Sequence, residues 1–179
     1  MKRVAMFEKV SFEQFKKDWI ETFGENWLSD LHCNDVENLE ELYENIKLPR
    51  RGTALSAGYD FFSPITFTLE PNKTIKLPTG IRCYMEESYV LICVPRSSLG
   101  FKYRLQLDNG TGVIDADYYY SSNEGHIMCK LTNDSKENKT VTVEVGKGMI
   151  QGIFLEYGIT MDDVECEIRD GGIGSTDKN

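Results

Sequence analysis

Histidine, basic charge and paired cysteines are all scarce in this 179-residue chain, and each shortage excludes a class of function. His32 and His126 are its two histidines; they lie far apart, lack metal-ligand spacing and leave no visible Ser-His-Asp set for nucleophilic hydrolysis. The 20 Lys and Arg against 29 Asp and Glu give a net charge of -9, which argues against a nucleic-acid surface of the usual kind. An acidic protein binds a polyanion only where local cations, backbone amides or a divalent metal override its overall field. The five cysteines, Cys33, Cys83, Cys93, Cys129 and Cys166, are scattered and form no Cys-x-x-Cys pair, so neither zinc nor a disulfide framework is supported. Reduced thiols in a cytoplasmic compartment are the expectation. No segment is long and apolar enough to span a membrane, and the N-terminus lacks a signal-peptide core, so no membrane partner is expected. The Asn-x-Ser/Thr triplets at Asn72, Asn133 and Asn138 therefore mean little for glycosylation. Gly146-Lys147-Gly148 lacks both the spacing and the following helix of a P-loop. There is no internal repeat and no low-complexity segment.

What remains reads as a globular domain with a real core, at 40% hydrophobic and 27% charged residues. Residues 1–47 form a helical N-terminal extension in this reading. Phe12, Phe15, Trp19 and Phe23 recur at helical spacing, with Ser11 as N-cap and Gly24 as the stop. A second helix is predicted over Asp35–Lys47, with Val36, Leu39, Leu42, Tyr43 and Ile46 on its apolar face. This extension is either a partner-binding arm or, as the blander reading has it, a packed addition to the domain or to a neighbouring subunit. From residue 48 to 168 the texture is short β-rich runs punctuated by Gly, Pro, Asn and Asp. Strands are predicted at 58–63, 65–69, 74–78, 81–85, 89–94, 105–107, 112–118, 127–132, 141–145 and 149–156. That pattern predicts a mainly β fold of the sandwich, jelly-roll or barrel kind. Residues 169–179 have too few apolar groups to order themselves and read as a loose tail, or as one that wraps a phosphate when a ligand is present.

Three stretches can carry chemistry. Phe101–Leu107 alternates like a half-buried strand, Asn109-Gly110 and Thr111-Gly112 signal a hairpin turn, and Val113–Tyr118 resumes an extended pattern. Asp115 and Asp117 would then share one strand face, as a polar strand end or as a site. Arg96-Ser97-Ser98 follows the apolar strand Val90–Val94 and offers a guanidinium fork, two hydroxyls and free backbone N–H groups. Those are the parts a phosphate needs, although a plain polar strand-to-loop junction looks the same. Asp60, after Ser56-Ala57-Gly58-Tyr59, can reach a divalent cation from an outer shell or simply cap a turn.

Together these segments resemble the five ordered motifs of the trimeric, all-β dUTPase family, in a bacterial or phage form with a helical N-terminal extension. Ala57–Asp60 resembles the first motif and Pro95–Gly100 the second. Asn109–Tyr118 is similar to the third, Gly146–Phe154 to the fourth and Arg169–Thr176 to the fifth. The resemblance implies a jelly-roll β-barrel and a homotrimer whose three sites are shared between subunits. It implies hydrolysis of dUTP to dUMP and pyrophosphate by water attack on the α-phosphorus, which keeps uracil out of DNA and supplies dUMP for thymidylate synthesis. Asp115 would orient and deprotonate the water. Asn109 and the hairpin backbone at Gly112 and Ile114 would read uracil and leave no room for a 5-methyl group. Tyr118 would pack under the sugar and exclude a ribose 2′-hydroxyl. Arg96, Ser97, Ser98 and Gln151 would hold phosphate oxygens, and Arg169, Gly174, Ser175 and Thr176 would close over the γ-phosphate. Mg2+ would bridge the triphosphate, with Asp60 reaching it through water.

The chain departs from the family pattern at three positions. Ile173 replaces the usual Phe that stacks on the base, so it can cover uracil but not stack. Arg169 lies one residue nearer the glycines than in the commoner motif, and Gly148 stands where an arginine is frequent. Two alternatives follow from the same residues. A dCTP deaminase of this fold also carries Arg-Ser-Ser-Leu-Gly, but it needs a glutamate beside the pyrimidine where this chain has Ile-Asp-Ala-Asp-Tyr. A regulatory or binding protein could keep the scaffold without turnover; the extension and Ile173 favour it, and the retained Asp115, Tyr118, Arg96 and Gln151 oppose it.

Overall fold

Short apolar runs separated by Gly, Pro and Asn become short strands, and the longest run, at Gly148–Glu156, becomes the centre of the largest sheet. A computed structural model describes residues 2–164. The chain begins with β1 (Ala5–Lys9), α1 (Phe12–Phe23), α2 (Trp27–Asp30) and α3 (Leu39–Asn45). Then come β2 (Arg50–Arg51), β3 (Tyr59–Phe62), β4 (Phe67–Leu69), β5 (Thr74–Pro78), β6 (Ile81–Met85) and β7 (Tyr89–Pro95). They are followed by α4 (Ser97–Tyr103), β8 (Leu105–Leu107), β9 (Gly112–Ile114) and a 3-10 turn over Ala116–Tyr120. β10 (Met128–Asn133), β11 (Val141–Val143) and β12 (Gly148–Glu156) complete the described order.

All pairings are antiparallel, in the orders β2-β3-β12-β7-β9, β5-β10-β8, β1-β6 and β4-β11. The fold is mainly β, as expected. Among the described residues the sheets do not close into a barrel. The core lies between them, with Phe61, Leu91, Leu105, Leu131, Cys129, Met149 and Ile150 all buried.

The first helix follows its local signals. Ser11 Oγ accepts from the Gln14 N–H at 3.1 Å, and Gly24, at φ 80°, ends the helix with its N–H on the Ile20 carbonyl at 2.7 Å. Phe15 and Trp19 are fully buried, each contributing on the order of 1.5–3 kcal/mol of apolar burial. Helix α3 is shorter than predicted because Asn38, whose Oδ1 accepts from the Glu41 N–H at 2.9 Å, caps it.

Four expectations are corrected. Residues 5–9, placed by the sequence in the helical extension, form β1, which pairs with β6 from Ala5↔Met85 to Lys9↔Ile81. The short α2 was not anticipated; its Asn26 makes no side-chain cap bond to mark it. Residues 101–103 belong to α4 rather than to a strand: Phe101 is 93% exposed, and Arg104, at φ 53°, turns the chain before β8 starts. After Ile114 the chain enters the 3-10 turn, with the Tyr118 N–H on the Asp115 carbonyl at 3.2 Å, so Asp115 and Asp117 do not lie on one strand face.

Candidate active site

β12 brings three of the sequence-predicted residues together. Its register sets Gln151 opposite Asp60 on β3 and opposite Val94 on β7. Two residues past Val94, Arg96 leaves β7 and turns back over β12. Its Nε lies 3.0 Å from Asp60 Oδ1, and an Nη1–H points at the Gly148 carbonyl at 3.5 Å. Gly148 is buried, and a Cβ there would stand 2.9 Å from both Arg96 Cδ and Nη1. Gly148 thus leaves open the space that the Arg96 side chain fills. Gly58 makes room in the same way for the Gln151 carboxamide. Ser97 and Ser98 open α4 beside Arg96 and are exposed.

Next to this corner is a cleft of about 290 Å³ lined by Arg96, Ser98, Leu99, Thr142, Glu144 and Lys147. Lys147 is a cation that sequence reasoning passed over when it rejected the P-loop. Its exposed ammonium lies 3.9 Å from Glu144, too loosely held to be committed there.

The Asn109 hairpin lies on the other flank of β7. Gly110, at φ 71°, sends its N–H to the Leu107 carbonyl at 2.8 Å, and the Thr111 N–H meets the Asn109 carbonyl at 2.8 Å, leaving Asn109 exposed. β9 then pairs Gly112↔Cys93, Val113↔Ile92 and Ile114↔Leu91. Gly112 fits because a Cβ would meet Cys93 Cβ at 3.1 Å. Asp115 is half-buried at the head of the 3-10 turn. Tyr118 is 8% exposed; its hydroxyl donates to the His126 carbonyl at 2.8 Å and accepts from Asn123 Nδ2 at 2.8 Å.

One strand therefore carries both halves of the candidate site, but at opposite ends. Ile114, just before Asp115, pairs with Leu91, while Arg96 is five residues further along, about 17 Å at roughly 3.3 Å per residue. Arg96 also points toward β12 and β3, away from β9. Arg169, Ile173, Gly174, Ser175 and Thr176 lie outside the described residues.

Two chemistries can be weighed on these groups. Burial pushes the Cys83 and Cys93 thiols up to about 12 and raises Cys129 as well, so these thiols stay protonated and are no nucleophiles. No cluster of three or more His, Cys, Asp or Glu side chains suited to a metal occurs among the described residues. The donor set does suit Mg2+ bound chiefly by phosphate oxygens and water, since that ion needs only one or two nearby carboxylates and Asp60 is partly exposed.

A dUTPase family model matches residues 44–176. The deoxyuridine 5'-triphosphate nucleotidohydrolase of Lactococcus lactis is 40% identical over 139 residues, covering 75% of this chain and 91% of that protein. The corresponding protein of Pasteurella multocida is 33% identical over 153 residues, covering 80% and 97%. Among solved structures, the dUTPase of Streptococcus mutans superposes with a TM-score of 0.57 at 36% identity, covering 71% of this chain and 94% of that one. A variant of the dUTPase from phage phi11 of S. aureus, which coordinates a structural Mg(II) ion, gives a TM-score of 0.55 at 24% identity over 68% and 92% of the two chains, a likeness of fold.

Proposed function

The chain belongs to the dUTPase family and hydrolyses dUTP to dUMP and pyrophosphate; we propose that it does so with Asp115 as the base that orients and deprotonates the attacking water. The water oxygen would bond to the α-phosphorus as the bond to the bridging oxygen of the β-phosphate breaks. Pyrophosphate would leave with that oxygen, and the α-phosphate would remain on the deoxyuridine. Phosphoryl chemistry of this kind is mostly positioning and charge neutralisation.

The observation that carries the reading is the separation of Asp115 from Arg96 along β7. A base and a phosphate clamp acting on one nucleotide need contacts of about 3–3.5 Å at neighbouring atoms. Roughly 17 Å along the strand between the partner of Ile114 and Arg96, with the arginine facing away, speaks against their meeting within one subunit. A site completed by Arg96, Ser97, Ser98 and Gln151 of a second copy resolves this, and it supports a homotrimer with shared sites. Asn109, Gly112 and Ile114 would read uracil, and the anchored Tyr118 ring would floor the deoxyribose. Arg169, Gly174, Ser175 and Thr176 would hold the γ-phosphate, with Ile173 over the base.

Asp60 would reach a triphosphate-bound Mg2+ through water while its other contact keeps Arg96 in place. The bound ion would supply charge neutralisation of the phosphates. The proposed setting is the cytoplasm, in keeping with buried, reduced thiols and with the absence of any membrane-crossing helix among the described residues.

The test is pyrophosphate release with Mg2+ from dUTP, dTTP, dCTP and UTP measured side by side. Release from dUTP alone is expected. Ammonia from dCTP would move the chain to the deaminase reading, and dUTP binding without release would make it a regulatory scaffold.

A further inference from the structure

Residues 118–126 form a tight hook behind the candidate sugar floor, and the helix at the start of the chain holds that hook shut. The Ser121 N–H donates to the Tyr118 carbonyl at 3.1 Å, the Glu124 N–H to the Ser121 carbonyl at 2.8 Å and the His126 N–H to the Asn123 carbonyl at 3.1 Å. Glu124 and Gly125 both take positive φ, 58° and 70°. A Cβ on Gly125 would stand 2.7 Å from the Tyr118 carbonyl oxygen, so the hook closes this tightly only around glycine.

Helix α1 grips it at two points. Ser11 and Asp18 are seven positions apart, about two helical turns, and therefore share a face. Ser11 donates its backbone N–H and its hydroxyl to the Glu124 carboxylate at 2.7 and 2.6 Å. Asp18 Oδ2 lies 2.5 Å from His126 Nδ1, and both residues are buried, the histidine completely. The other ring nitrogen, Nε2, accepts from the Gly80 N–H at 2.8 Å. A backbone N–H can only donate, so Nε2 is bare and Nδ1 carries the proton that goes to Asp18. Burial penalises the Asp18 carboxylate, but its hydrogen bonds with His126 and Gln14 outweigh this and hold its pKa below the ordinary value. His126 is thus fixed at both nitrogens from two separate elements. Its carbonyl is the group that holds the Tyr118 hydroxyl.

We propose that Asp18 is a positioning residue for sugar recognition: through His126, helix α1 fixes the Tyr118 ring and so sets the preference for deoxyribose over ribose. The inference rests on the dUTP reading and extends it to a helix that precedes the segment matched by the family model. Rejecting one hydroxyl by contact requires a floor that does not yield, because a displacement of about an ångström is enough to admit it.

The experiment measures kcat/KM for dUTP and for UTP in one preparation of the full chain with Mg2+. The ratio of the two is independent of the fraction of active protein, so partial misfolding cannot mimic the effect. Asp18→Ala is expected to lower the dUTP/UTP ratio by about tenfold. Asp18→Asn, whose side-chain oxygen accepts the same Nδ1–H, is expected to keep the ratio within about twofold. Tyr118→Phe cuts the link between the ring and His126, so adding Asp18→Ala to it should lower the ratio no further. An unchanged ratio in Asp18→Ala, or an equal drop in the Tyr118→Phe background, overturns the inference while leaving the dUTP reading in place. A parent that hydrolyses UTP as readily as dUTP overturns both. Should Asp18→Ala fail to fold, Ser11→Ala weakens the second grip and is expected to lower the ratio by about threefold; the parent ratio there overturns the inference.

Discussion

At one end of β7, Arg96 crosses to Asp60 over a glycine while Ser97, Ser98 and Lys147 stand open to solvent. Beyond the other end, Tyr118 and His126 are buried and bonded to α1, to Asn123 and to Gly80. The first region presents exposed polar groups among the described residues, which suits the proposed binding of an anion there. The second completes its hydrogen bonds within one chain, so its geometry is set before any ligand arrives. Discrimination between sugars needs that rigidity, whereas phosphate binding can draw its order from the ligand and metal.

The comparison breaks first at Asp115, which heads the turn that carries Tyr118. Asp115→Asn should lower kcat by about 10²–10⁴-fold with nucleotide binding retained, measured by turnover and by titration of a non-hydrolysable analogue. Near-parental turnover would remove the base from the mechanism.

Glycine substitutions then sharpen the contrast between the ends. Gly125→Ala forces a positive φ and a Cβ against the Tyr118 carbonyl, so it should cost about 1–3 kcal/mol in urea unfolding. Gly148→Ala meets only the flexible arginine side chain, so it should raise KM for dUTP while moving stability by less than about 1 kcal/mol. Equal stability losses would mean that the open end is as tightly built as the hook.

The smallest effect is on pH. Asp18 and Glu124 both have depressed pKa values, because hydrogen bonds from His126 and Gln14, and from Ser11, outweigh the burial that opposes them. Their contribution is therefore full above the ordinary values of 3.8 and 4.5 and is lost as pH falls through the lower folded ones. The contribution of these two carboxylates to unfolding free energy should be constant above about pH 5 and be lost below it, so the acid fall should be shallower in Asp18→Asn. An unaltered slope would show that these carboxylates are not what acid attacks.

Much of this was readable in the sequence where the signals are short-ranged. Ser11 and Gly24 bound α1, and the runs at 74–78 and 81–85 became strands at their predicted limits. Arg96, Asp60 and Gln151, picked from separate segments, meet at one corner because neighbouring strands place them there. What stayed hidden depends on distant partners. β1 is a strand because of β6, far along the chain (Ala5↔Met85). The turn after Asp115 looked extended because nothing local reveals the hook that bends it. The Asp18–His126 contact spans 108 residues and leaves no trace in spacing at all.

That span also has a meaning in time. During synthesis α1 emerges early, but the histidine it must meet comes 108 residues later, about 5–20 s at usual elongation rates. For that interval Phe15 and Trp19, fully buried in the finished fold, have only neighbours made earlier, such as Phe23, Trp27 and Tyr43, to cover them. Helix α1 can therefore pack against α2, α3 and β5 first, and its grip on the hook through His126 is a late event of the chain's synthesis.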